Sequence, residues 1–292
     1  TGTATVAQYQ TALRSVSYSS TSDHPTATSA SRTLTWQVND GAGANNLSTS
    51  TTSTINVTAV NDAPTTSTNF NSAVSREDQG APIDGTFGQT IGSIDGINGA
   101  SLDAEGAAVG LAFVAPISST SFGTAWYSID SGVTWSNLTT AIATASETNA
   151  FLLSSTARVY FQGNANVSGT LANATVRTWD GTDGAASNSY KDISTLIGGS
   201  GAYSSTTGRL NLGVVGVNDA PTLTVTAGTP TFTEGTGNAQ GAAVTLFSGA
   251  AAATGPANES AQRLTSLTAT VSGLQDGCLL YTSPSPRDRT RS

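Results

Sequence analysis

The chain has 292 residues, 37% hydrophobic and only 10% charged, with a formal net charge of −8 and an isoelectric point near 4.4. An acidic surface with a single lysine, Lys191, repels phosphate backbones, which argues against nucleic acid as a partner; it attracts cations such as Ca²⁺ or simply keeps a secreted chain soluble. A lone cysteine (Cys278), a lone histidine (His24) and no apolar run of membrane-spanning length exclude an internal disulfide, a Cys- or His-cluster metal site and a transmembrane helix.

The length suits two or three sandwich modules of roughly 100 residues each. Thr fits pleated, half-exposed strand surface, whereas Gly and Asn fit turns. In chain order, a helical turn is expected at 6–13, then strands at 15–18, 34–38 and 54–60. Further strands are expected at 110–114, 124–128, 157–161, 174–179 and 210–217, with a second helical turn at 137–143. The last expected strands are 222–226, 243–247 and 264–271. No long stretch carries the apolar spacing of an amphipathic helix.

The organising signal is a repeat. Val60-Asn-Asp-Ala-Pro-Thr65 recurs as Val217-Asn-Asp-Ala-Pro-Thr222, each copy after an alternating apolar strand. Asn-Asp ends a strand through side-chain-to-backbone bonds, and Pro removes a ladder donor. This is the pattern expected of inter-domain joints. They divide the chain into 1–63, the C-terminal part of a truncated β-sandwich repeat, 64–219, one complete long repeat, and 220–277, the N-terminal part of a third. Residues 278–292 break in composition from everything before them. Cys278-Leu-Leu-Tyr-Thr-Ser-Pro-Ser-Pro-Arg-Asp288 is similar to a translated sequencing adapter, so this tail is expected to be artefactual and unstructured. The alternative is a basic, Pro-containing tail for an anionic partner.

The Val-Asn-Asp-Ala-Pro joints, the stretch Tyr9 to Asp23 and Thr35-Trp-Gln-Val-Asn-Asp-Gly41 resemble the cadherin-like repeats of giant secreted bacterial adhesins with RTX-type tails. Trp126-Tyr-Ser-Ile-Asp-Ser-Gly-Val-Thr-Trp135 and Arg177-Thr-Trp-Asp-Gly181 look like another repeat type of such proteins. The resemblance covers 1–277. It implies an all-β fold of tandem Ig-like or cadherin-like β-sandwich modules, an extracellular or cell-surface location, and a stalk or biofilm-adhesion role. It also implies Ca²⁺ at the joints. The matching positions are Asn61 and Asp62, Glu77 and Asp78, Asp103 and Glu105, and Asn218 and Asp219. Ca²⁺ takes six to eight oxygens of this kind. The family's Asp-Arg-Glu element is missing, Asp-x-Glu stands for the usual Asp-x-Asp, and the RTX nonapeptide is absent. The competing reading makes these acids turn and capping residues bonded to their own backbone. Asp40, Asp180 and Asp183 precede or neighbour Gly and read as ordinary turns. The implied partners are neighbouring repeats of the same chain and cell-surface or matrix glycans or proteins.

Signals for catalysis are poor. Asp130-Ser-Gly132 matches the short string of aspartic proteases, but one copy cannot form a carboxylate dyad, and its setting reads as a hairpin turn. His24 lies in a polar loop without a strand-to-helix elbow, and no phosphate-cradling loop is present. Trp36, Trp126, Trp135 and Trp179 are expected to pack into cores, with a sugar-stacking platform as the alternative. The expectation is a non-catalytic adhesive repeat region, and the alternatives are a carbohydrate-binding module or an accessory region of a secreted hydrolase.

Overall fold

Short runs of Val, Thr and aromatics, broken by Gly, Asn and Pro, make strands along most of the chain. The computed structural model describes residues 3–72, 75–83, 88–97, 102–237, 239, 241–255, 262–268, 270 and 272, and very few of them are helical. The protein is all-β, as its composition and periodicity indicate. The expected tail, 278–292, lies outside the described residues.

The strands are β1 (Ser31–Trp36), β2 (Thr51–Asn56), β3 (Asn69–Asn71), β4 (Ser75–Arg76), β5 (Gln89–Thr90), β6 (Gly110–Phe113), β7 (Gly123–Ser128), β8 (Ser136–Asn137), β9 (Ala150–Leu153), β10 (Arg158–Gly163), β11 (Gly169–Trp179), β12 (Ser189–Lys191), β13 (Gly208–Val215), β14 (Thr222–Ala227) and β15 (Phe247–Ala253). β1 and β2 form an antiparallel pair, as do β14 and β15. One larger sheet runs β5-β10-β7-β8, and another runs β12-β9-β6-β11-β13-β3, with β4 also on β13. β3 and β4 lie parallel to β13, Phe70 opposite Leu210 and Ser75 opposite Val214.

The two larger sheets make a sandwich. Leu111 and Phe113 of β6, Phe151 and Leu153 of β9 and Val176 of β11 meet Ala125 and Tyr127 of β7 and Val159 and Phe161 of β10 in one core. The alternate residues Ala112, Ala150, Leu152 and Trp179 face the other way, into a second core closed by Ile193, Ala202 and Tyr203. β6 and β9 are therefore buried on both faces. Each large apolar side chain so buried stabilises the fold by about 1.5–3 kcal/mol relative to exposure.

The helix Val6–Arg14 is started by a capping box, with Gln8 N–H donating to Thr5 Oγ1 and Thr5 N–H to Gln8 Oε1. It has no buried residue, and neither has any other part of 3–60. The described residues from 218 onward have none either. The chain divides into two compact units, Thr1–Val217 and Asn218–Ser292. The first joint lies inside the first unit because Ala63 N–H donates to Gly199 O (2.8 Å) and Thr65 N–H to Leu102 O (2.6 Å). Among the described residues no helix is long and apolar enough to cross a membrane.

The expected strands at 110–114, 124–128, 157–161, 174–179, 210–217 and 222–226 coincide closely with β6, β7, β10, β11, β13 and β14. Residues 15–18 instead follow the helix without strand pairing, and 243–246 precede β15, which starts at Phe247. The described residues of 264–271 carry no strand.

Candidate functional site

β11 delivers the site. Its last residue, Trp179, pairs with Gly110, the first residue of β6, so the turn before β6 and the turn after β11 share one edge of the sandwich. Before β6, Asp103 shapes a turn: its carbonyl accepts from Gly106 N–H (3.1 Å) and its Oδ1 from Ala107 N–H (2.9 Å). Asp103 is 4% exposed, and its Oδ2 is buried with no hydrogen-bond partner. A buried carboxylate oxygen left unbonded is costly unless a cation or water reaches it. After β11, Asp180 Oδ1 accepts from Thr182 N–H (2.8 Å) and the Thr182 hydroxyl (2.7 Å), while its amide donates to Ala202 O (3.2 Å).

The first joint docks onto both turns. Asn61 Nδ2 donates to Asp180 Oδ2 (3.0 Å) and to Gly201 O (3.1 Å). Asp62 N–H donates to Glu105 Oε2 (3.3 Å). Thr65 binds Leu102 O through its hydroxyl (3.1 Å) and accepts from the Thr178 hydroxyl (2.8 Å) at its own carbonyl. Asn61, Asp62, Asp103 and Glu105 are thus gathered at one end of the sandwich, and Asp180 joins them. In the sequence alone, Asp180 before Gly181 reads as a plain turn residue. The usable signal was its place at the end of a long strand antiparallel to the strand that Asp103 and Glu105 precede.

Glu77 and Asp78 lie elsewhere. Glu77 N–H donates to Val215 O (3.0 Å), and Glu77 Oε1 accepts from Val217 N–H (2.7 Å). This is near Val214, which pairs with Gly169 at the opposite end of β11 from Trp179. Glu77 is 1% exposed, whereas Asp78 is exposed and holds a positive φ of 64°. Asn218 and Asp219 open the second unit, where Asn218 Nδ2 donates to Asp219 O (3.1 Å). The carboxylates of Asp103, Glu105 and Asp180 offer oxygens, the ligand type of a hard cation, whereas Asn61 turns its Nδ2 and Asp62 its backbone N–H toward the carboxylates of Asp180 and Glu105. As the side chains stand, no group of three His, Cys, Asp or Glu among the described residues could hold a metal ion.

No protein-family model matches the chain, and a search of curated proteins finds no match.

The remaining candidates are structural in their contacts. Asp130 sits in the turn between β7 and β8, accepting from the Ser128 hydroxyl (2.7 Å), Thr134 N–H (2.9 Å) and the Thr134 hydroxyl (2.5 Å). The Thr134 hydroxyl and amide, with Ser128, hold its carboxyl well below the usual carboxylate range. His24 Nδ1 lies 3.0 Å from Ala104 O, a bond in which the ring N–H donates. Trp179 is buried. Trp36, Trp126 and Trp135 are half-buried, with Trp126 Nε1 bonded to Gln162 Oε1 and Trp135 edge-on to Tyr160. An open groove of about 510 Å³ lies beside Trp36, bordered by Leu13, Gln37, Val38, Ser48 and Thr51.

Proposed function

We propose that this chain is a non-catalytic structural and adhesive repeat region of a large extracellular bacterial adhesin, built of tandem Ig-like or cadherin-like sandwich modules with Ca²⁺ at their joints. The observation that supports this most is the docking of the Asn61–Asp62 joint onto the turns of Asp103, Glu105 and Asp180, with Asp103 Oδ2 buried and unbonded. A bound Ca²⁺ supplies positive charge and takes up carboxylate oxygens. Asn61, Asp62, Asp103, Glu105 and Asp180 would hold it at the first joint. Glu77 and Asp78 in the first unit, and Asn218 and Asp219 in the second, are the other proposed ligands.

The role is mechanical. The sandwich buries its own core, and a joint tied by hydrogen bonds as the first one is resists bending, so a row of such modules projects an adhesive surface away from a cell. The test is isothermal titration with Ca²⁺, with thermal melts and X-ray scattering in Ca²⁺ and in EDTA. Binding, a higher melting temperature and a longer particle in Ca²⁺ are expected. No response to millimolar Ca²⁺ removes the calcium part of the reading.

A second reading, a carbohydrate-binding or accessory region of a secreted hydrolase, is favoured by the groove beside Trp36, where an indole meets amide and hydroxyl groups. A glycan array probed with the chain and with Trp36→Ala separates the two. Binding that disappears in the variant supports the second reading, and absence of binding ends it.

A further inference from the structure

The joint is part of a longer repeat. One fixed offset aligns Val57 with Val214, Val60 with Val217, Asn61 with Asn218, Glu77 with Glu234 and Gly80 with Gly237. The same offset places Thr51, the first residue of β2, on Gly208, the first residue of β13. β2 lies antiparallel to β1 as β13 lies antiparallel to β11.

β13 has a further partner. The segment after the first joint runs parallel along its other edge, Asn69 opposite Arg209 and Ser75 opposite Val214. Arg209 N–H donates to Thr68 O (3.0 Å), Ser72 N–H to Asn211 O (3.3 Å) and Glu77 N–H to Val215 O (3.0 Å). The Glu77 carboxylate closes the seam on Val217 N–H.

Among the described residues β2 is paired with β1 alone. Val57 N–H donates to Ala30 O (2.9 Å), so residue 57 faces β1. By the period of two, Thr52, Thr54 and Thr58 present their backbone groups at the other edge. These residues align with Arg209, Asn211 and Val215, the residues used in the complete seam. The segment after the second joint carries the matching half. Gly228 N–H donates to Leu246 O (3.0 Å) as its counterpart Asn71 N–H donates to Asp95 O (3.1 Å). Thr229, Phe232 and Glu234 stand where Ser72, Ser75 and Glu77 stand, and Phe232 and Glu234 are exposed. Neither the β1–β2 pair nor the β14–β15 pair has a buried side chain, and two-stranded sheets are marginal alone.

We propose that residues 222–234 of one chain add as a parallel edge strand to β2 of a second copy, linking copies head to tail. Thr229 N–H then donates to Thr54 O, Glu234 N–H to Thr58 O, and Val60 N–H to the Glu234 carboxylate, with Phe232 beside Val57. A second copy is the occupant because Asn61 and Val217 stand at opposite ends of β11, and eleven residues of strand span roughly 35 Å. β2 ends just before Asn61 in the chain, and residues 222–234 follow Val217. Such a heterologous contact builds strings unless its rotation closes a ring. The inference rests on the repeat and its pairing, and Ca²⁺ plays no part in it.

The test uses the full chain in a Cys278→Ser background. Val57→Cys and Phe232→Cys variants are mixed under mild oxidation, since aligned strand neighbours stand within disulfide reach. A disulfide-linked heterodimer is expected to form about tenfold faster than from Thr33→Cys mixed with Phe232→Cys, because docking raises the effective concentration of the matched pair. A synthetic peptide of residues 221–236 in excess is expected to suppress it. Cross-linking no faster than the control overturns the proposal. So does a chain carrying both Val57→Cys and Phe232→Cys that closes only on itself as a monomer.

Discussion

Trp179 and Tyr203 stack with their ring planes 8° apart and donate to the same carboxylate, the indole at 3.0 Å and the phenol at 2.6 Å from Asp183. Lys191 Nζ reaches Asp183 at 2.8 Å, and Ala185 N–H adds a bond at 3.2 Å. This arrangement closes the second core, on the sheet face turned away from the sandwich interior. Burial pushes the Tyr203 phenol well above its ordinary range, and Asp183 adds to the rise, so the phenol remains a donor.

Asp183 makes the fold acid-sensitive. Burial works to raise its pKa, but Lys191, Tyr203, Trp179 and the Ala185 amide outweigh burial and hold it at about 2, below the ordinary 3.8. A depressed folded-state pKa contributes stability that is present above the unfolded value and lost as pH falls through the folded one. Denaturant melts of the wild type should therefore lose stability between about pH 4 and about pH 2. Asp183→Asn should lower stability at neutral pH by about 1–3 kcal/mol and flatten that acid step. An unchanged acid step in the variant assigns it to other groups.

Arg177 is buried and shares its guanidinium between Ser204 O (2.7 Å) and Glu147, whose Oε1 accepts from Nε at 3.1 Å and also pairs with Nη2. Glu147→Ala leaves that cation short of its anion. The expected loss is about 1–3 kcal/mol, since Glu147 is half open to solvent and screening weakens the pair. The double variant Glu147→Ala with Arg177→Met should recover much of the loss, which equilibrium unfolding measures. A double variant as unstable as the sum of both single ones contradicts this.

Gly110 begins β6 where two strands approach closely. A Cβ there would stand 2.4 Å from Leu153 O and 3.0 Å from Ser154 Cα, both backbone atoms of the neighbouring chain segment. Gly110→Ala is expected to cost about 3 kcal/mol or more, because neither neighbour can rotate away. A melting temperature close to wild type would show that the β6–β9 pair can shift.

Asp103→Asn discriminates a cation ligand from a turn residue. The wild-type carboxylate buries Oδ2 without a hydrogen bond, so removal of its charge should leave stability in EDTA nearly unchanged or higher. In saturating Ca²⁺ the variant should be the less stable protein by about 1–2 kcal/mol, through lost linkage. Paired thermal melts with and without Ca²⁺ measure both arms, and the same effect in both assigns Asp103 to the turn alone.

Much of the architecture was legible because alternation encodes a single buried face. β7 keeps Thr124, and β13 keeps Arg209 and Asn211, between buried residues, so their spacing showed through, whereas β10 buries Val159, Tyr160 and Phe161 in a row. β9 is buried on both faces, so Ala150-Phe-Leu-Leu153 has no alternation to find. β3, β4, β5, β8 and β12 have two or three residues each, too few for any period. At the candidate site the acids themselves were legible, through their joints and turns. Their partners were not.

The amino-acid sequence by itself determined that this protein is all-β, where its repeat lies, and which acids stand near its turns, because composition, period and joint motif are local properties. Only the tertiary structure decided that Asn61 reaches Asp180, that Glu105 receives the Asp62 amide and that Glu77 latches onto Val217. Those pairs are far apart along the chain. They meet because β6, β11 and β13 lie side by side in one sheet, and strand order is a property of the packed core that no single stretch of sequence carries.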